Sequence, residues 1–508
     1  MRCALAGSRS PSQLKPENRD QVVKMLGVAG NKLRSRLGEP TASLQKSNKP
    51  LDEATSSSLE ALQAFSEAEK ARVTKGSLAA ILFYKRAIEL DPNFALSYAY
   101  VALMYINVSD YKAEIESLTR AFALRDRVGR HDRLAIEASY YHFASGELAK
   151  ATQAYSDWLQ SYPRDPVALE NLSYLFNSIG QYPKSAALNR EVIRLGPTEA
   201  FPFGGLMSDY LHMNRLDEAL AVYTDARSRK VERAVLADAR YYLAFLQGDE
   251  VSMDEQARLA MADPEWGTLL LSDQALVEGY YGRFGRARKL WRQAADSAQR
   301  HHLTGYAAYF LSEEGFAEAQ AGNFSLARKL ANSALALSDD PMERSLPAVV
   351  LAVAGDGTQA ESLAQALNLE RPVDTIVQNY WLPSIQAGIE LRQNRPAEAI
   401  DRLQRAIPYE PSWVLNLFPV YLRGQAYMQA EQAQQAAREF QSVLDHPGIT
   451  LGFVTAPLAH LQLGRAQVMM DDKEAARRSY QDFLTLWKDA DPDIPIYKQA
   501  KIEYAKLQ

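Results

Sequence analysis

Apolar side chains recur along this chain in one phase. In the stretch AAILFYKRAIELDPN, Ala80, Tyr84, Ala87 and Pro92 fall at offsets of 0, 4, 7 and 12. The same order returns at Ala151, Tyr155, Trp158 and Pro163, at Ala219, Tyr223 and Ala226, at Ala399, Leu403, Ala406 and Pro411, and at Ala476, Tyr480 and Phe483. A small residue followed by large ones at four and seven is one stripe of an amphipathic helix. The small position can be followed at Ala80, Glu114, Ala151, Ser185, Ala219, Ser252, Ala287, Ala327, Ala360, Ala399, Ala436 and Ala476, at spacings of 33 to 40 residues. A self-similar period of that length predicts an array of helix pairs. Glu114, Ser185 and Ser252 depart from the small apolar type, and Ser252 marks the weakest repeat.

Turn residues precede that position by five: Gly146, Gly180, Asn214, Gly282, Gly322, Gly355 and Asn394. Each is expected to end a first helix in a left-handed conformation, which Gly and Asn adopt with least strain. Asp91-Pro92, Tyr162-Pro163 and Glu410-Pro411 are expected to stop second helices, because proline cannot continue one. First helices carry a large, large, small, large order, as at Tyr98, Val101, Ala102 and Tyr105 and at Leu169, Leu172, Ser173 and Phe176.

This grammar resembles the tetratricopeptide repeat (TPR) over about residues 60–490, roughly twelve copies, with soft boundaries at repeats six, eight and nine. The predicted fold class is all-α: a TPR-like α-solenoid, a right-handed superhelix of antiparallel helix pairs. Three segments are expected. Residues 1–58 hold a polar stretch, an orphan amphipathic helix near 18–38 (Val22, Val23, Leu26, Val28 and Leu33) and a linker. Residues 59–490 form the array. Residues 491–508 form a capping helix with an apolar stripe at Ile496, Ala500, Tyr504 and Leu507.

The flanks carry a narrower resemblance. LGEPTASLQKSNKPLDEATSSSLEALQAF before the array and YQDFLTLWKDADPDIPIYKQAKIEYAKL at its end are similar to the TPR regions of large bacterial membrane-anchored serine/threonine protein kinases. That resemblance implies a kinase domain, a membrane span and a small α/β domain ahead of the array, the orphan helix being the last helix of the α/β domain. None of the kinase signatures occurs in this sequence. His131-Asp132 and Asp482-Phe483-Leu484 come nearest, and both lie inside repeats without the neighbours catalysis needs. Kinase activity is therefore not carried over, and a sensor or scaffold portion is what the resemblance implies.

Composition narrows the partners. Of 508 residues, 47% are hydrophobic and the net charge is -5, without a basic block, which argues against nucleic acid. Cys3 is the sole cysteine, so no internal disulfide can form. No apolar run reaches the roughly 18–20 residues of a membrane span, and Met1–Gln13 has too short an apolar core for a secretion signal. The chain alone predicts a cytoplasmic location; derivation from a membrane-anchored kinase implies an extracytoplasmic one.

Motifs that suggest chemistry are absorbed by the repeat. In GYYGRFGRARK, Gly282 is the hairpin turn and the spacing is wrong for a phosphate loop, and AGDGTQA at Gly355 and Gly357 reads the same way. His301 and His302 point about 100° apart on a helix and do not chelate together. Asp489, Asp491 and Asp493 begin like a calcium loop, but Ile494 and Ala500 stand where glycine and glutamate are needed. Glu313-Glu314 reads as part of a charged, solvated helix face. No catalytic, metal or cofactor site is predicted, and the chain is read as a non-enzyme.

The expected function is protein or peptide binding in the groove of the array. Carrying the family's concave positions over repeat by repeat gives Tyr140, Phe143, Tyr174, Asn177, Phe201, Tyr309, Phe316, Trp381, Phe418, Tyr421, Arg465 and Val468. This wall is aromatic and poor in cations. A carboxylate clamp for acidic tails uses Lys, Arg and Asn where Val167, Glu170 and Tyr174 stand here. The alternative for each aromatic residue is packing between successive repeats. A small ligand or glycan in the groove is a further reading.

Overall fold

The computed structural model describes residues 20–36, 55–231, 234–412 and 414–507. The polar start, Cys3 and most of the expected linker lie outside these residues. The described chain is helical, without a strand, and divides into two units, residues 1–108 with 113–140, and residues 109–112 with 141–508.

The first unit contains α1 (Asp20–Arg36), α2 (Leu59–Lys75), α3 (Ser77–Leu90), α4 (Ala95–Asn107), most of α5 (Tyr111–Ala123) and α6 (Arg130–Ser139). Ser58 caps α2 by accepting from the Ala61 amide at 3.1 Å, and α1 packs on α2. Its core is built on Ala68, Ala80, Tyr84, Val101 and Met104, with the Phe65 ring set against Tyr84, Phe94 and Tyr100.

The second unit begins with α7 (Leu148–Ser161) and runs through nine helix pairs: α8 (Pro166–Ser178) with α9 (Tyr182–Leu195), α10 (Phe201–His212) with α11 (Leu216–Ser228), α12 (Ala234–Gln247) with α13 (Glu250–Ala260), α14 (Pro264–Tyr280) with α15 (Phe284–Arg300), α16 (Thr304–Ala321) with α17 (Phe324–Leu337), α18 (Ser345–Val353) with α19 (Gly357–Glu370), α20 (Leu382–Arg392) with α21 (Pro396–Leu403), α22 (Phe418–Gln429) with α23 (Ala433–Leu444), and α24 (Thr455–Met469) with α25 (Lys473–Leu486). The last helix is α26 (Pro495–Ala505).

Every one of the twelve tracked positions falls in a second helix, and eleven of them are at most 2% exposed. Ser252, in the weakest repeat, is the one left half-buried. A small side chain there lets the first helix approach, and the first helix answers with its own. At Gly424, an added Cβ would lie 2.6 Å from the Phe440 ring. The seven expected turn residues all have positive φ, from 55° at Asn214 to 91° at Gly322. Gly76, Ser109, Gly248, Glu431 and Asp471 also have positive φ in the remaining hairpins, Gly76 with an extended ψ of -178°.

A second level of packing joins loops about 210–230 residues apart within the second unit. The hairpin turn at Gly146 meets the loop after α19: Thr375 N–H donates to Gly146 O at 2.8 Å, Leu148 N–H donates to Thr375 Oγ1 at 3.1 Å, and buried Arg371 donates to Ala144 O at 2.5 Å while pairing with Asp374. One repeat on, Tyr182 donates its hydroxyl to Pro411 O. The next tie is Asn214, which donates to Asp445 O at 3.1 Å and accepts from the Gly448 amide at 2.9 Å. Asp491 N–H then donates to Gly282 O at 3.0 Å, and Trp487 Nε1 donates to Tyr280 O at 2.9 Å. Lys112 lies 3.6 Å from Asp339 at the other end of the series. Hairpins that pack in sequence and meet again six hairpins later complete one superhelical turn. The turns of this unit are clasped loop to loop. Gly248, in the weakest repeat, faces no such loop, and after it the register slips from six hairpins to five.

Candidate functional site

The twelve expected groove residues meet three fates. Tyr174, Phe201 and Val468 are 48%, 61% and 41% exposed. Tyr140, Phe143, Asn177, Tyr309 and Arg465 are half-buried and partnered. In the first unit, Tyr140 stacks on Phe122 at 4.0 Å. Phe143 stacks on His142 at 3.9 Å and lies 6.4 Å from Tyr174. Asn177 donates to Asp209 at 2.8 Å, and Arg465 forms a two-pronged pair with Glu503 at 2.9 and 3.1 Å. Phe316, Trp381, Phe418 and Tyr421 are buried, and the packing alternative describes these four. Phe316 meets Phe418 edge to face at 5.0 Å although 102 residues separate them, half a superhelical turn away. Side chains therefore fill the axis at this level.

Glu313-Glu314 does not form a solvated face. Both carboxylates are buried, because α16 is enclosed by α15, α17, α18 and α26. The charges that looked like solubility belong to an acidic row along successive first helices. Asp238 on α12, Asp273 on α14 and Glu313 on α16 each stand fourteen positions before the tracked residue of their repeat (Ser252, Ala287 and Ala327), and Glu343 precedes α18. That shared register is the signal a sequence reading could have used.

Burial pushes all four carboxyls above the ordinary range, Glu313 to about 7 and Glu343 to about 8. Asp238 and Asp273 form a carboxyl–carboxylate pair, with Asp273 holding the proton because burial and the neighbouring Asp238 charge both oppose its ionisation. Tyr242 donates to Asp273 at 2.8 Å, and Ser272 donates to Glu313. No ion pair among the described residues neutralises the row. Asp238 and Asp273 keep part of their surface accessible. Asp209, held at about 7 by burial against three hydrogen bonds, is instead fully covered between α8, α9 and α10. No group of His, Cys, Asp or Glu among the described residues is arranged to hold a metal ion.

The acids bind protons more tightly in the folded chain than in the unfolded one, so their contribution to stability is lost as pH rises through about 7. Buried His142 and His212, pushed down to about 3 and 4, oppose this as pH falls through about 6.5, where unfolded histidine is half charged, and offset part of the gain. Lowering pH from 8 to 6.5 is expected to raise the unfolding free energy by about 2 kcal/mol. Glu313→Gln should flatten that rise. Urea midpoints at the two pH values check it, and an unchanged slope in the variant would refute the assignment.

No family model matches the chain, and no curated protein is similar to it. Solved structures with helical-repeat architecture do align. Yeast Tom70 is 14% identical, with 88% of this chain and 95% of that chain covered at a TM-score of 0.34. The APC/C hetero-tetramer Cut9-Hcn1 is 12% identical, with 88% and 83% covered at 0.45. MamA protein is 19% identical, with 34% and 92% covered at 0.25. At these scores the fold assignment rests on the chain's own hairpins. They form a TPR-like α-solenoid. No helix among the described residues is long and apolar enough to cross a membrane.

Proposed function

We infer that the concave wall from α8 to α16 binds a protein segment carrying basic side chains, and that the chain acts as an interaction scaffold. The observation that carries this reading is the Asp238–Asp273 pair, half-buried on successive first helices, with no ion pair to either carboxyl among the described residues. A lysine or arginine side chain placed there replaces the proton and supplies the missing countercharge. Exposed Tyr174 and Phe201 on α8 and α10 add apolar area for neighbouring side chains of the same segment. The aromatic residues then flank the acids rather than forming the whole recognition surface.

Binding of lysine-rich and glutamate-rich peptide pools to the full chain tests the reading. The basic pool is expected to bind, to release protons on binding near pH 7, and to weaken at least tenfold with Asp238→Asn plus Asp273→Asn. Equal binding of the acidic pool, or no effect of the double substitution, would sink it. A regulatory version, in which this wall senses a ligand for a membrane-anchored serine/threonine kinase, is supported by the likeness of the flanking segments alone. A kinase reading frame directly upstream of Met1 would favour it, and an unrelated frame there would remove it.

A further inference from the structure

Farther along the second unit, beyond the filled axis at Phe316 and Phe418, the concave side opens into a cavity of about 610 Å³. That lies within the range of roughly 300–1,000 Å³ typical of ligand sites. Five glutamines line it from four helices: Gln320 on α16, Gln425 and Gln429 on α22, Gln462 on α24, and Gln499 on α26. Leu391, Leu422 and Met428 lie between them, and Pro495 and Ile496 at the start of α26 close one side.

Three observations define what this wall takes. Gln320 lines the cavity at only 7% exposure, and its Nε2 is covered without a hydrogen-bond acceptor, so a turn of the carboxamide toward the cavity would let a ligand satisfy that donor. Gln429 shows what such a carboxamide does here, since its Nε2 donates to the main-chain carbonyl of Leu391 at 3.1 Å. The charge at the wall is already engaged: Arg392 donates Nε to Val353 O at 2.7 Å and covers the Phe324 ring at 4.2 Å. A carboxamide carries the same donor and acceptor as a peptide bond. Amides alternating with apolar patches therefore match a main chain with small or apolar side chains, not an ion.

We propose that this glutamine-lined cavity binds a short, uncharged, extended peptide segment by hydrogen bonds from Gln320 and Gln425 to its main chain. The site is separate from the acidic row and takes a different ligand. Gln425 stands eleven positions before Ala436, as Tyr174 stands before Ser185, so one helical register serves both walls with different chemistry.

The test uses the full chain and three probes followed by titration calorimetry: an N-acetylated, C-amidated pentapeptide pool of Ala, Leu, Ser and Gln, its backbone N-methylated counterpart, and maltopentaose. The unmethylated pool is expected to bind. Methylation, or Gln320→Leu with Gln425→Leu, should weaken binding at least tenfold. Gln429→Ala and Gln499→Ala, at exposed positions that leave the core intact, should each weaken it several-fold. Tyr174→Ala and Asp238→Asn should leave it unchanged, which separates this site from the acidic one. Failure of the pool to bind, equal binding of the methylated pool, insensitivity to the exposed glutamine substitutions, or binding of maltopentaose alone would each overturn the proposal.

Discussion

Gly180→Ala is expected to destabilise the protein by about 2–5 kcal/mol, whereas Gly248→Ala should remove only about 1–2 kcal/mol. Both glycines end a first helix with a left-handed backbone, at φ of 76° and 68°. Both substitutions therefore carry the same strain between Cβ and backbone. They differ in what lies opposite. At Gly180 the new Cβ would lie 2.5 Å from the Pro411 Cβ and 2.9 Å from its carbonyl carbon, so the clasped loop must withdraw and the Tyr182 hydroxyl loses its acceptor. At Gly248 nothing lies within 4 Å. The difference between the two variants measures one clasp. Urea midpoints are compared at one pH, and amide exchange near residues 180–182 and 409–412 localises the change. Equal loss in the two variants would mean that the clasp contributes nothing.

Trp487→Ala is expected to be more damaging still at one end of the array, by about 3–5 kcal/mol. The indole is fully buried, packs against Phe483 at 4.9 Å and Tyr497 at 5.9 Å, and meets Phe284 of a distant hairpin at 6.2 Å. Its Nε1 also satisfies Tyr280 O. Truncation opens a cavity between α15, α25 and α26 and orphans a carbonyl at the end of α14. Trp487→Phe keeps most of the apolar volume and should lose about 1–2 kcal/mol. Amide exchange should accelerate through α24 to α26 and around Gly282 while α2 to α4 stay protected. Unchanged protection of α26 in Trp487→Ala would show that the indole does not hold this end.

The hairpins were legible because their determinants are local. An alanine such as Ala287 must be small for the helix it touches, and Gly322 must bend where its own helix ends. Those demands recur at a fixed period, so the phase survives even where Glu114 or Ser185 replaces alanine. The clasps were not legible. Pro411 was read as a helix stop, but nothing local announced that it and Asp374 meet Gly180 and Gly146, which stand some 230 residues earlier. That pairing comes from small rotations added over six hairpins, and no single repeat carries it. The buried acids were misjudged for the same reason. Glu313 on an isolated helix would be solvated; it is buried because the superhelix closes around α16. The groove residues divided along that line too, Tyr174 remaining accessible while Phe316 is sealed by Phe418.

Repeat arrays are commonly treated as one-dimensional chains in which each unit feels only its neighbours. The loop ties at Gly146, Gly180, Asn214 and Gly282 add coupling across a full coil, so this array has the connectivity of a rolled sheet rather than of a string. Under tension, a string of hairpins peels from one end. A rolled sheet resists until its seam opens, then yields abruptly. Pulled by its ends, the second unit should therefore show a stiff initial response and a rupture step before any hairpin unravels, behaving as a rigid strut rather than an extensible spring.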